Sequence, residues 1–473
     1  MDKPTILFLG RGRRDVMFIE TIEGLKDKYN IVVLAPDESR EKYKSVSGIT
    51  VEEYLSQQEL EEACANVTDA QLESVYKIEK ELGVNCYEFN INYMLYRKFV
   101  SRYGAPNLHH FLNNSVPQRL VLFYDRLTEI IDKYGVSYVF YETIDMVDSM
   151  ILNAMASKGR IKAAFEHSVE SLGGELRLRL ATGQHRRSKK IDYVFNSCEI
   201  SEGSESWARQ ATALYDKQKP DTKYDAYHAK MGSIIPKFSF QQLLDKGKRV
   251  LNGETFLPAL LKTYNRICSN KYFSRSLPEE KILSYFLQLT PEASMCSQVP
   301  EFADQEYLIE QIAIHGKYGY TIAVKEHPAC FGNRLPRFYQ ELSLLPNVVL
   351  LPPSFPTRDL ILKSEAIIVA SGTTPGLESI ATGVPVICLG NPYFNISKNT
   401  VSCEKPEEVW KALETIEYRE EERHKFIAAM HQATYEHPQF DTPEDFELGL
   451  GIGKVMSKAL DDEITLYESG VLK

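Results

Sequence analysis

The residues with the clearest potential for chemistry lie between positions 371 and 378, directly after the apolar run Ala366–Ala370. Three hydroxyls, two glycines and a predicted helix start coincide there, so O–H groups and unpaired backbone N–H groups converge. Such a point suits a phosphate or another anion, whereas an ordinary helix N-cap followed by proline is the simpler alternative. A carboxylate one turn into the helix could accept ribose or sugar hydroxyls. The candidate ligand-binding residues of this segment are Ser371, Gly372, Thr373, Thr374, Gly376 and Glu378.

A lysine and a histidine stand at the end of another predicted strand, Tyr320–Lys325. Pro328 restricts the turn that follows and directs His327 outward. An imidazole there can donate a hydrogen bond to a phosphate or help to neutralise it as it leaves, and Lys325 adds positive charge. The alternative is a purely structural histidine, since the same dipeptide recurs at His437-Pro438.

Glu292 is the candidate carboxylate of the second half. It follows the predicted strand Ile282–Leu289, within the segment Thr290–Ser294. It could serve as a general base, a nucleophile or an acceptor for sugar hydroxyls. A carboxylate that only stabilises a helix start explains the same pattern equally well.

Two strand ends in the first half carry further acidic side chains and a histidine. Glu142 and Asp145 follow the predicted strand Val136–Tyr141, and the dipeptide Glu166-His167 follows the strand Ile161–Phe165. Neighbouring carboxylates suit removal of a proton from an acceptor hydroxyl, although Asp145 could instead cap its helix. These residues are interpreted as a second, acceptor-side cluster.

Basic residues near the middle of the chain give a weaker signal. Gly173-Gly174, with Arg177 and Arg179 after it, predicts a mobile loop carrying cations, and Arg177 is a candidate for binding an acceptor. The basic run 185–190 predicts a solvated loop, with an anionic acceptor or a membrane surface as alternative partners. The glycines at positions 10 and 12 lack the GxGxxG spacing, so a dinucleotide-binding fingerprint is unsupported.

Strands alternate with helices along most of the chain, which predicts an α/β fold with parallel, doubly wound sheets. Two such Rossmann-like domains facing each other across a cleft are the simplest assembly, because ligands bind beyond the carboxyl ends of parallel strands. The predicted domains are 1–248 with a helical insertion at about 56–134, then 249–440, and a C-terminal helical segment 441–473. Within them, Val16–Tyr29 and roughly Glu447–Ala459 are predicted helices, and Asp192–Phe195 is a predicted strand.

Composition narrows the class of protein. The chain has 473 residues, with 55 Lys+Arg against 65 Asp+Glu and a formal charge of −10, which gives no support to nucleic-acid binding. Its apolar runs are too short for a transmembrane helix or a signal peptide. Eight cysteines without a CxxC pair favour reduced thiols over a disulfide framework or a zinc site. These features predict a cytoplasmic enzyme without a bound metal or cofactor.

The second-half motifs, in their order, resemble the bacterial capsule polysaccharide biosynthesis family, which includes two-domain, GT-B Kdo transferases. The likeness covers about residues 282–395; the first half matches only in general layout. The matching segments are Thr290–Ser294, Lys325–Pro328, Ser371–Ser379 with Gly383–Val386, and the aromatic loop Asn391–Phe394.

The resemblance implies a glycosyltransferase that transfers a sugar from a nucleotide-sugar donor to a surface-polysaccharide or lipid-linked glycan acceptor. His327 and the Ser371–Thr374 loop would hold the donor phosphate, with CMP-Kdo as the leading donor and UDP-sugars as the alternative. Contact with the inner face of the plasma membrane is a further expectation. Two other functions stay open: a sugar-nucleotide epimerase similar to UDP-N-acetylglucosamine 2-epimerases, and a non-catalytic glycan-binding module.

Overall fold

The predicted β/α alternation produces two separate sheets in the computed structural model. The structure describes residues 3–10, 12, 14–54, 57–90, 116–197, 199–217, 256–290, 292–438, 440, 445 and 448–473. Described residues up to 208, together with those from 425 onward, form one compact unit, and those within 209–424 form the other. Residues 425–438, which the sequence assigned to the second domain, therefore lie in the first unit, as does the C-terminal helix.

The first unit contains a seven-stranded sheet in the order β13-β6-β5-β4-β1-β2-β3. Its strands are β1 Thr5–Leu9, β2 Asn30–Ala35, β3 Thr50–Glu53, β4 Val136–Tyr141, β5 Ala163–Leu172, β6 Glu175–Thr182 and β13 Tyr435–Glu436. Strands β1 to β5 are parallel to one another, whereas β6 is antiparallel to both β5 and β13. From β1 the chain proceeds to β2 and β3 on one side and later to β4 and β5 on the other, so strand order reverses between β1 and β4.

Helices surround this first sheet. They are α1 Asp15–Leu25, α2 Asp37–Lys44, α3 Gln57–Ala65, α4 Asp69–Glu73, α5 Val75–Leu82, α6 Val116–Tyr134, α7 Val147–Ser157 and α8 Lys189–Ser197, and one 3-10 turn spans Cys86–Asn90. Helix α9, Glu202–Lys217, leads out of the first unit.

The second unit contains a six-stranded, wholly parallel sheet in the order β12-β11-β10-β7-β8-β9. Its strands are β7 Lys281–Phe286, β8 Tyr320–Lys325, β9 Val348–Leu351, β10 Ser364–Val369, β11 Val386–Cys388 and β12 Thr400–Ser402. Here the strand order reverses between β7 and β10. Both sheets are doubly wound, and the predicted α/β fold with two Rossmann-like domains is confirmed.

The helices of the second unit connect these strands. They are α10 Phe256–Ser269, α11 Ala293–Cys296, α12 Gln305–Ile314, α13 Pro336–Ser343, α14 Thr357–Lys363, α15 Thr374–Thr382 and α16 Val409–Thr415, with 3-10 turns at Asn270–Tyr272, Pro300–Phe302 and Pro406–Glu408. Helix α17, Glu420–Ala433, leads back to the first unit, which ends with α18, Gly453–Glu468.

Burial on both faces of the sheet explains why the strands are continuous apolar runs. In β1, Ile6 and Phe8 pack into one core with Met456 of α18, whereas Leu7 and Leu9 pack into the opposite core with helices α6 and α7. Successive side chains of a strand point to opposite faces. A strand covered by helices on both faces therefore needs apolar residues at every position.

Two local predictions in the first unit are wrong. The segment Asp192–Phe195 is part of helix α8, because Ile191, Val194 and Phe195 lie on one face at helical spacing. Gly173-Gly174 is not the start of a mobile loop but the tight turn of a β5–β6 hairpin. Both glycines have positive φ, 63° and 84°, as hairpin turns of this length require.

The C-terminal helix also differs from its prediction, since it spans Gly453–Glu468 rather than about 447–459. It packs against α1 through Met456, Leu460 and Ile464. Glu463 lies on the same buried face, and burial raises the pKa of its carboxyl to about 8, while the cations of Lys190 and Arg179 oppose that shift.

We expect Glu463 to make stability fall as pH rises from about 5 to 8. A carboxyl whose folded pKa exceeds its unfolded pKa contributes stability fully below the unfolded pKa, and that contribution is lost as pH rises through the folded pKa. The slope is at most about 1.4 kcal/mol per pH unit, and Glu463→Gln should remove it in urea-unfolding measurements across that range. Glu468→Gln is the control. Lys162 and Tyr138 lower the pKa of Glu468, so this carboxylate changes the free energy of unfolding only below about pH 4.5. A wild-type slope in Glu463→Gln would contradict the assignment.

Candidate functional site

Three of the predicted segments meet at the carboxyl edge of the second sheet. Strands β8, β7 and β10 are consecutive neighbours, so the loops that follow them start side by side. Only β7 separates β8 from β10, which places their axes roughly 10 Å apart. This edge includes the point between β7 and β10 where strand order reverses, the usual ligand-binding place in such sheets.

Thr373 caps helix α15. Its hydroxyl oxygen accepts a hydrogen bond from the backbone N–H of Gly376, 3.2 Å away, and Pro375 lies in the first turn. The N-cap interpretation is therefore correct for this residue, yet its hydroxyl proton can still be donated to a ligand. Thr374 is exposed and keeps an N–H group that helix geometry leaves without an intrahelical partner. The described donors of this loop thus suit an anion.

Ser371 and Glu378 are placed differently from the threonines. Ser371 is buried, and its hydroxyl donates to the side-chain oxygen of Gln288, 2.6 Å away. A serine hydroxyl has one proton, so Ser371 holds the loop in place rather than donating to a ligand in this state. Glu378 is also buried, on the inward face of α15. Its carboxylate is therefore not presented to solvent.

The aromatic loop packs beneath this segment. A Cβ added at Gly376 would lie 2.6 Å from the ring of Phe394 and 3.2 Å from the side chain of Val369. A Cβ added at Gly372 would meet the ring of Tyr393 at 3.6 Å, an ordinary contact. Gly376 is thus required by close packing, whereas Gly372 is exposed at the surface of the loop.

We expect Gly376→Ala to destabilise the protein by about 1–3 kcal/mol, because the ring of Phe394 would have to move. Gly372→Ala is the matched control, since its new methyl group would find ordinary van der Waals distances. Thermal unfolding of the two variants tests this difference. Equal unfolding midpoints would contradict the packing argument.

His327 is half-buried, and one of its ring nitrogens accepts a backbone hydrogen bond. The backbone N–H of Ala329 donates to its Nδ1 at 3.2 Å, so Nδ1 acts as an acceptor. In a neutral imidazole the proton then lies on Nε2. The ring can therefore donate a hydrogen bond from Nε2. Lys325 is buried beside it, with Nζ 3.2 Å from the carbonyl oxygen of Pro353.

A buried carboxylate fixes the turn that carries His327. Glu326 accepts hydrogen bonds from the backbone N–H of His327, 2.6 Å away, from Arg334 and from the hydroxyl of Tyr339. Burial and the nearby Glu326 charge raise the pKa of Tyr339, so its hydroxyl stays protonated as a donor. Sequence reasoning missed this network. The sequence feature that could have revealed the network is a charged residue directly after a buried strand, with an arginine eight positions later.

Glu292 lies at the same edge of the sheet but is exposed. It is the N-cap residue of the four-residue helix α11, and its carboxylate accepts the hydroxyl proton of Ser294, 2.7 Å away. These contacts fit the interpretation as a helix-start residue. They also leave the carboxylate open to solvent beside the other loops.

In the first unit, Arg14 brings two predicted residues together. Its guanidinium lies 3.2 Å from the carboxylate of Glu142 and also contacts Nε2 of His167. Glu142 follows β4 and Arg14 follows β1, so this ion pair lies where the strand order of the first sheet reverses. Burial and the charge of Arg14 lower the pKa of His167 to about 3, and the ring is therefore neutral near pH 7.

The other two carboxylates of this cluster have different surroundings. Glu166 is buried, accepts the backbone N–H of Ile144 at 2.9 Å and forms an ion pair with Arg186. It thereby holds the loop after β4. Asp145 is half-buried, and its own N–H is 3.3 Å from the hydroxyl of Ser149. The residue that caps α7 is Met146, so the capping interpretation of Asp145 is wrong.

Arg177 is buried within the first unit. Its guanidinium donates to the carbonyl oxygens of His431 and Thr434, at 2.7 and 2.9 Å, and forms an ion pair with Glu175. These contacts tie β6 to the end of α17, which is a structural role.

Arg187 of the basic run likewise pairs with Asp192 at 2.8 Å, so this part of the run is not a purely solvated loop.

Within the described part of the chain, Asp37, Glu53 and Glu59 lie close enough to share a cation, but they are exposed, and Arg40 pairs with two of them. None of the described helices combines the length and apolar character needed to cross a bilayer.

Comparisons with solved structures find related folds at low sequence identity. The Kdo 2,7 transferase KpsC of Thermosulfurimonas dismutans is 11% identical, with a TM-score of 0.39 over 68% of this chain and 90% of that one. Anabaena Alr3699/HepE, solved with UDP-glucose, is 12% identical, with a TM-score of 0.25 over 97% and 99%. The UDP-GlcNAc 2-epimerase of Neisseria meningitidis is also 12% identical, with a TM-score of 0.23 over 98% and 99%. At these TM-scores the likenesses carry no argument about activity.

Sequence comparison gives the stronger result. No individually curated protein matches the chain. Residues 183–440, more than half of the sequence, match the family described as capsule polysaccharide biosynthesis protein. That range includes the β7, β8 and β10 strand ends and their loops. The chain belongs to the capsule polysaccharide biosynthesis protein family.

Proposed function

We propose that the protein is a glycosyltransferase of capsule polysaccharide synthesis that takes its sugar from a nucleotide-linked donor. The observation that carries this proposal is the joint placement of Thr373, Thr374 and His327 at the carboxyl edge of the second sheet. A hydroxyl, a helix N-terminal N–H and an imidazole N–H all supply protons for hydrogen bonds to phosphate oxygens. Family membership supports the same class of reaction.

CMP-Kdo is the proposed donor. The phosphate-facing groups are few and mostly neutral, which suits the single phosphate of a CMP-sugar better than a diphosphate. Lys325, the last residue of β8, is buried with its ammonium bonded to a backbone carbonyl. Parallel incubations with CMP-Kdo and with UDP-sugars test the preference for CMP over UDP.

In the proposed reaction an acceptor hydroxyl attacks the anomeric carbon, while the bond from that carbon to the phosphate oxygen breaks. The nucleotide leaves with the bonding electrons, and His327 donates a hydrogen bond that stabilises the charge on the phosphate. Of the predicted acceptor-side carboxylates, Glu142 and Glu166 pair with arginines, and we assign removal of the acceptor proton to Glu142 because it is the more exposed of these two. Glu166 then positions the loop of Glu142 through the N–H of Ile144.

Donor turnover tests this function. Purified protein is incubated with CMP-Kdo, or with UDP-sugars in parallel, together with capsule glycan or lipid-linked acceptors, and release of CMP or UDP is measured. We expect CMP release that depends on the acceptor. Isomerisation of a UDP-sugar without an acceptor would instead identify an epimerase, and nucleotide binding without turnover of any pair would identify a binding module.

A further inference from the structure

The side-chain amide of Gln305 extends the hydrogen bonding of β7 beyond the end of the strand. Its oxygen accepts the backbone N–H of Gln288 at 2.7 Å, and its nitrogen donates to the carbonyl oxygen of Gln288 at 3.0 Å. A neighbouring strand makes the same pair of bonds to a residue of a sheet. Residue 288 is therefore held as firmly as a strand residue, although β7 ends at Phe286.

All four hydrogen-bonding positions of the Gln305 side-chain amide are occupied. Its oxygen also accepts the hydroxyl proton of Tyr285 at 3.2 Å, and its nitrogen also donates to the hydroxyl of Thr290 at 2.7 Å. A carboxamide has two donor protons and two acceptor sites. With all four satisfied in a buried place, Gln305 has one defined orientation.

Gln288 connects this fixed point to both halves of the phosphate site. Its side-chain oxygen accepts the hydroxyl proton of Ser371 at 2.6 Å, which ties down the loop before α15. Its backbone oxygen accepts from Arg334 at 2.6 Å, and Arg334 pairs with Glu326, the residue that fixes the N–H of His327. All of these side chains are buried, so none of them is presented to a ligand.

We propose that Gln288, held by Gln305, is the positioning residue that sets the spacing between the Thr373–Thr374 donors and His327. This inference rests on the proposed phosphate site and deepens it. The two donor groups follow strands that are not direct neighbours, because β7 lies between them. A residue at the end of β7 that bonds to both sides can keep them at a distance suited to one phosphate.

Two substitutions distinguish the link from Gln288 to Ser371 from the link through Arg334 to the turn of His327. Gln288→Met removes only the link to Ser371, since the other bonds use the backbone of residue 288. Gln305→Met removes the clamp on that backbone and should loosen both sides. Gln298→Met is the matched control, because Gln298 is an equally buried glutamine of the same unit that lies outside this network.

Hydrogen–deuterium exchange provides a readout that needs no nucleotide. We expect Gln288→Met to speed exchange about tenfold in residues 371–376 alone, and Gln305→Met to speed it by a similar factor in both 371–376 and 326–330. Gln298→Met should leave both segments at wild-type rates. Wild-type exchange rates in both segments of Gln305→Met would overturn the inference.

Binding of CMP and UDP, measured by calorimetry, adds a functional readout. We expect Gln288→Met and Ser371→Ala each to weaken CMP binding about tenfold, and the double variant to be no weaker than either single one, because the two act through one bond. Additive losses would overturn the inference. If the wild-type protein binds neither nucleotide, the proposed function fails, while the exchange experiment still decides whether Gln288 and Gln305 position the loops.

Discussion

Replacing His327 with alanine is expected to lower the kcat/KM for nucleotide release from the donor by roughly 100- to 1,000-fold. Removal of one preorganised donor to a developing negative charge has effects of this size. In this protein the donor is Nε2–H, because Nδ1 is occupied by the N–H of Ala329. The reaction is followed as CMP release from CMP-Kdo, with UDP-sugars tested beside it.

His315→Ala is the control for this experiment. His315 belongs to the same unit, but it is exposed at the end of α12 and its Nδ1 lies 2.9 Å from the carbonyl oxygen of Gln311. We expect this variant to keep wild-type activity. If the two variants have equal activity, His327 does not belong to the site.

Replacing Glu142 with glutamine is expected to lower kcat by roughly 100- to 10,000-fold, the range for loss of a general base. Glutamine has nearly the same shape but cannot take a proton. The affinity for CMP should be unchanged, because the proposed donors to the phosphate are Thr373, Thr374 and His327 and do not include Glu142. Steady-state turnover and calorimetry of CMP binding together test this separation.

Glu170→Gln is the matched control for Glu142→Gln. Glu170 lies on β5 of the same unit and bonds to Ser168 and Arg179, away from Arg14. It should retain turnover within a few-fold of wild type. A Glu142→Gln variant with wild-type kcat, or one whose CMP affinity falls as much as its turnover, would contradict the assigned role.

The fold of the second half could be predicted closely from the sequence. Strands β7 to β11 are short, mainly apolar runs that end in a polar or glycine-containing loop, and Tyr320–Lys325 has its predicted bounds, whereas β12 was not predicted. The prediction works because a strand covered by helices on both faces is mainly apolar. Strand direction then dictates that the loops after β7, β8 and β10 share one edge.

The hairpin of the first unit was harder to predict. Strand β6 carries Arg177 and Arg179, which break the apolar pattern expected of a buried strand. Both are buried because they are paired, Arg177 with carbonyl oxygens near α17 and Arg179 with Glu170. The carbonyl partners of Arg177 lie 254 and 257 residues away, and local sequence does not contain that information.

The contacts of the proposed site residues could be predicted only in part. That Thr373 would cap the helix follows from local sequence, whereas the direction of the Ser371 proton depends on Gln288, 83 residues away. The role of Glu326 likewise depends on Arg334 and Tyr339, which lie 8 and 13 positions further along the chain. Interactions of this kind require the three-dimensional structure.

A crystal structure with bound CMP tests the central claim most directly, with UDP soaked in parallel. The account predicts that the CMP phosphate lies within about 3 Å of Nε2 of His327 and of the Thr373 or Thr374 donors. A nucleotide ordered at another part of the protein, with its phosphate touching neither His327 nor the loop 371–376, would contradict it.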